Sequence, residues 1–166
     1  MLGRLFDRLL AALGVVAALC LALMAMSVDF EVLARYLFNR PTKWVIDFTE
    51  YALLYILFLA SAWALAKENH IVIDILLGVC PPRARRVLDV MSSLIGAVAS
   101  GIFFWFSAVV TLRAYEASEV IWHSLIVPKW PVWIVMPFGS LLLTIQFLRR
   151  TWIYLKRFNR RAAETP

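Results

Sequence analysis

Residues 9–28 read LLAALGVVAALCLALMAMSV, a run without one charged side chain. A hydrocarbon core about 30 Å thick is crossed by roughly 20 residues of helix. This run has that length, and three more stretches share its character: 51–66, 90–112 and 130–148. The 17 Lys and Arg and the 11 Asp and Glu residues all lie outside the four. With 63% hydrophobic and 17% charged residues and a mean hydropathy of +0.79, the chain cannot coat a soluble domain of 166 residues. The second stretch reaches spanning length only by drawing in residues 48–50. That puts the Glu50 carboxylate near the headgroups, not at mid-bilayer, where it would cost on the order of 3 kcal/mol or more. The expected fold is an all-α integral membrane protein with four transmembrane helices, at about 9–28, 48–66, 88–112 and 130–148.

Arg4 and Arg8 ahead of the first run resemble the basic start of a signal peptide. The run exceeds the usual length of about 7–15 residues for such a segment, however, and no A-x-A-like cleavage site closes it, so a retained span is expected. Four spans put both termini and the middle loop on one side. That side holds twelve Lys and Arg, and the other side five: Arg35, Arg40, Lys43, Arg113 and Lys129. Cytoplasmic loops collect Lys and Arg, so both termini are expected in the cytoplasm. The same asymmetry accounts for the net charge of +6 without nucleic acid.

The connections carry apolar patterns of their own. Within 29–41, Phe30, Leu33, Ala34, Leu37 and Phe38 fall on one face at 100° per residue, while Glu31 and Arg35 stand i,i+4. Pro41 ends the segment. The pattern predicts a short amphipathic helix lying in the membrane surface. Residues 70–80 form a second apolar piece, too short to cross and closed by Pro81-Pro82, for which an interfacial or re-entrant position is expected. Arg83, Arg85 and Arg86 follow, suited to anionic lipid headgroups. The tail, 149–166, interleaves Trp152, Tyr154 and Phe158 with basic residues, an interface anchor directly after a span.

Span three carries Ser92, Gly96 and Ser100 on one ridge and Ser93, Ala97 and Gly101 on the next. Gly14, Ala18 and Ala22 repeat the spacing in span one. Small residues let helix backbones approach in lipid, within a subunit or between subunits. Chemistry is sparse. Axial haem ligation calls for histidine inside the helices, and His70 and His123 lie in loops. Cys20 and Cys80 make neither a disulfide framework nor a metal cluster. His70 and Asp74 stand i,i+4, but two ligands are too few for structural zinc, and a structural pair is expected. No carboxylate sits in the middle of a span, so no substrate path of the chain's own is evident. No cofactor, metal or catalytic site is expected. The chain reads as a scaffold; a membrane anchor for a respiratory or redox enzyme and a self-sufficient small transporter are the rival readings.

Two segments narrow the choice. One runs Arg35-Tyr36-Leu37-Phe38-Asn39, then Pro41, Trp44 and Asp47, then Phe58-Leu59 and Ala62, and ends His70-Ile71-Val72-Ile73-Asp74. The other runs Ser124-Leu125-Ile126-Val127-Pro128-Lys129-Trp130, then Pro137-Phe138-Gly139. In order and spacing these resemble the small membrane subunit of tripartite ATP-independent periplasmic (TRAP) transporters, the DctQ-like family. The chain departs from that pattern at Ile46, where a second acid is common, at Ala60, where glycine is common, and at Ile73. The resemblance implies a bacterial inner-membrane protein with two partners. One is a large many-span permease subunit, which carries an organic acid with sodium ions by an elevator-type movement. The other is a periplasmic substrate-binding protein. It also marks candidate partner-interface or membrane-anchoring residues: Arg35, Tyr36, Trp44, Asp47, His70, Asp74, Gly96, Gly101, Pro128, Trp130 and Pro137.

Overall fold

The computed structural model describes residues 2–39, 42–67, 82–122 and 126–162. Helices α1 (Leu2–Phe38), α2 (Trp44–Lys67) and α3 (Pro82–Glu116) are followed by strands β1 (Val120–Trp122) and β2 (Ile126–Pro128). A short helix α4 (Lys129–Trp133) then leads into α5 (Val135–Ala162). Four helical segments, 3–38, 44–67, 88–116 and 129–156, are long and apolar enough to cross a membrane. The all-α membrane class stands, with a two-stranded antiparallel ribbon added in which Val120 pairs Pro128 and Trp122 pairs Ile126.

Among the described residues the helices pack in the order α1–α2–α5–α3, and α1 and α3 form no extended contact. The arrangement is an open row, not a closed bundle. Two apolar clusters fix the directions of the helices. Leu10, Ala62 and Leu142 meet at one level, and Ala17, Leu59 and Val135 at the next. As α1 advances from 10 to 17, α2 and α5 therefore run backwards. Asp7 of α1 pairs with Arg149 of α5, so both ends of the described chain lie at the same end of the row. Only 17% of the most apolar part of α1 and 33% of that of α5 is buried within the chain, which leaves most of the apolar surface facing outward.

The helix expected at 29–41 is not a separate one: through Phe38 it is the continuation of α1. Its 37 residues span about 55 Å at about 1.5 Å each, well beyond one hydrocarbon core. The physical reason is the absence of any Pro or Gly between Val28 and Phe38, together with the Glu31–Arg35 ion pair one turn apart. The helix stops at Asn39, which adopts φ 51°, a left-handed conformation that Asn tolerates better than most residues. The apolar face of this stretch is uncovered within the chain: Phe30, Leu33, Leu37 and Phe38 are 55% exposed or more, whereas Glu31 is buried. The tail also continues as helix, through Ala162. The segment expected at 70–80 lies outside the described residues.

Candidate functional site

Two regions of the row have organised chemistry. The first is the end opposite the chain termini. Ser118, in the left-handed region at φ 48°, terminates α3; its N–H donates to Tyr115 O at 3.1 Å and the Glu119 N–H to Ala114 O at 3.1 Å. These bonds satisfy carbonyls that a helix end would otherwise leave open, and they turn the chain into β1. The Lys129 N–H donates to Glu119 O at 2.9 Å, closing the ribbon. Lys129 Nζ meets Glu119 Oε2 at 2.7 Å and lies 5.3 Å from the centre of the Trp133 ring. Trp130 stands edge-on to Tyr115 at 5.7 Å, and Trp44 leans on Phe48 at 6.3 Å. Tyr55 Oη donates to Pro131 O at 2.7 Å, tying α2 to α4. Aromatic rings with a polar atom and an apolar body suit the headgroup zone, and this end has three indoles, Trp44 of α2 and Trp130 and Trp133 of α4, with the phenol of Tyr115 from α3.

The second region is the seam along α5. A methyl group added at Gly139 would lie 2.5 Å from Phe58 O and 2.7 Å from Phe58 Cβ, so the backbones of α2 and α5 touch there. At Gly96 it would lie 2.5 Å from the Phe147 ring, and at Gly14 2.8 Å from the Trp63 indole. Between α3 and α5, Thr144 Oγ1 donates to Ser100 Oγ at 3.0 Å, and between α2 and α3 Phe58 stacks on Phe103 at 5.6 Å. Close approach and hydroxyl pairing hold helices together where lipid offers no hydrophobic drive.

The structure separates the residues singled out from sequence. Trp44, Trp130 and Pro128 lie at the aromatic end, and Pro128 is the ribbon's last residue. Arg35 spends its charge on Glu31, with Nε at 3.1 Å from Oε1, and Tyr36 is 82% exposed on the far end of α1. Asp47 is buried in the first turn of α2. Gly96 faces Phe147 of its own chain, whereas at Gly101 the nearest atom, Thr144 Cγ2, would be 3.8 Å from an added methyl, an ordinary contact. Pro137 occupies the first turn of α5, where a missing N–H costs nothing. His70 and Asp74 lie outside the described residues.

Sequence reasoning missed the ribbon, the Asp7–Arg149 pair and the Gly139–Phe58 approach. The β-branched runs Val120-Ile121 and Ile126-Val127 signalled the first; nothing local signalled the other two.

The family described as tripartite ATP-independent periplasmic transporters, DctQ component, matches residues 24–157 of this chain. A relative from Vibrio cholerae serotype O1, the C4-dicarboxylate TRAP transporter small permease protein DctQ, is 22% identical over 143 residues. That alignment covers 74% of this chain and 62% of the relative. The matched region takes in the far half of α1, all of α2, the ribbon and the α5 seam, so four apolar helices and a family match of that extent lead to one conclusion: the chain belongs to the DctQ component family of the tripartite ATP-independent periplasmic transporters.

Proposed function

We propose that this chain is the scaffold subunit of a binding-protein-dependent secondary transporter. It braces a large many-span permease subunit in the bacterial inner membrane. That subunit moves an organic acid with sodium ions by an elevator-type displacement, after a periplasmic binding protein delivers the substrate. The observation that carries the reading is the open row. The outer faces of α1 and α3 present Leu19, Met26, Ile95, Trp105 and Phe106 uncovered, while the described charged residues lie toward the helix ends. A carrier needs polar groups along a path through the bilayer. A brace needs broad apolar faces and a rigid seam, and this chain has both. The name of the Vibrio relative makes C4-dicarboxylates the first substrates to test.

The test is reconstitution in sodium-loaded and sodium-free liposomes. Uptake is expected only when this chain, the large subunit and the binding protein are all present, and sodium-driven uptake by the chain alone would overturn the reading. For orientation, reporter fusions after Pro166 and near Thr42 should report cytoplasm and periplasm respectively.

A further inference from the structure

At the end of the row that gathers the termini, α1, α2 and α5 leave a cleft lined by Asp7, Ala66, Gln146, Arg149, Arg150 and Ile153. Arg149 grips Asp7 with both guanidinium arms, Nη2 donating to Oδ2 at 3.1 Å. Arg150 Nε donates to Tyr154 Oη at 3.3 Å. Gln146 is 5% exposed, and its Oε1 is buried with no hydrogen-bond partner. A buried acceptor left without a donor is costly, and such groups in native proteins ordinarily have one. The cleft thus offers two guanidiniums against one carboxylate, an acceptor in want of a donor, and apolar walls from Ala66 and Ile153. It sits at headgroup depth, because Asp7 lies two residues ahead of the first charge-free run and Arg149 immediately follows the last.

We propose that this cleft holds the headgroup of an anionic phospholipid of the phosphatidylglycerol type. The phosphodiester meets the guanidiniums of Arg149 and Arg150, and a glycerol hydroxyl donates to Gln146 Oε1. Basic clefts between membrane helices suit such headgroups. A free phosphate supplies the anion alone, and a choline headgroup has no hydrogen to donate.

The experiment is native mass spectrometry of the full chain in detergent, titrated with phosphatidylglycerol, with phosphatidylcholine of the same acyl chains, and with inorganic phosphate as competitor. Phosphatidylglycerol is expected to bind at least about fivefold more tightly than phosphatidylcholine. Arg150→Gln, at a partly exposed position, should weaken phosphatidylglycerol about tenfold and leave phosphatidylcholine unchanged. Gln146→Leu should weaken it severalfold, as loss of the hydroxyl's acceptor requires. Equal binding of the two lipids by the wild-type chain, which needs no variant to fold, would overturn the proposal, as would wild-type affinity in Arg150→Gln. Displacement of the lipid by millimolar inorganic phosphate would make this a free-anion site and overturn the lipid assignment.

Discussion

The middle of the row and its edges use side-chain size in opposite ways. Where α2 and α5 meet, the residues are small: Ala62 is fully buried, Ser140 is 2% exposed and Gly139 touches backbone. On the outer faces of α1 and α3 they are large, with Met26, Trp105 and Phe106 each about two-thirds exposed. A soluble helical protein does the reverse, because water drives its large apolar side chains inward. Lipid exerts no such drive, so the inner seam is held by close approach and hydroxyl bonds, and the large side chains are left for lipid or a partner subunit. The difference separates what holds this chain together from what it offers to others.

The glycines of the seam provide graded ways to break its inner half. Gly139→Ala should do most damage, because the added methyl meets the Phe58 backbone, which cannot move without its helix. The expected cost is roughly 3 kcal/mol, the upper end for overpacking, read as a lowered unfolding midpoint in detergent and a smaller monodisperse fraction. Gly96→Ala meets the Phe147 ring, which can rotate aside, and should cost about 1–2 kcal/mol in the same assay. Gly101→Ala meets nothing closer than 3.8 Å and should fall within about 0.5 kcal/mol of wild type. An equal loss at all three positions would mean that backbone approach is not what organises the seam.

That grading shows how far the sequence could be read. The four spans were legible because charge is excluded from hydrocarbon whatever the fold around it. Gly96 and Gly101 looked equivalent, since each lies on a ridge of small residues; only the register of α3 against α5 puts Phe147 over one and leaves room at the other. The Pro-Phe-Gly motif around Gly139 says nothing of Phe58, because that contact is made with a residue of another helix. The continuity of 29–38 with the first span is not legible for a different reason. The periodicity of the segment is real, but a helix lying in the membrane surface and one that continues a span share the same 100° pattern. What separates them is the lack of a breaker at Asp29. The aromatic end was half legible: Trp44 and Trp130 stood at span boundaries, while strands of three residues are too short to announce themselves.

The outer half of the comparison carries the functional claim, and uptake kinetics test it most directly. Phe106→Ala on the open face of α3 and Trp44→Ala at the aromatic end should leave the isolated chain folded. They should lower the yield of complex with the large subunit, Phe106→Ala more than Trp44→Ala. In liposomes containing whatever complex assembles, initial uptake measured against substrate concentration should show a reduced maximal rate per lipid and an apparent KM within about twofold of wild type. A full yield of complex with a KM shifted about tenfold or more would mean that this subunit forms part of the substrate path, and the scaffold account would be wrong.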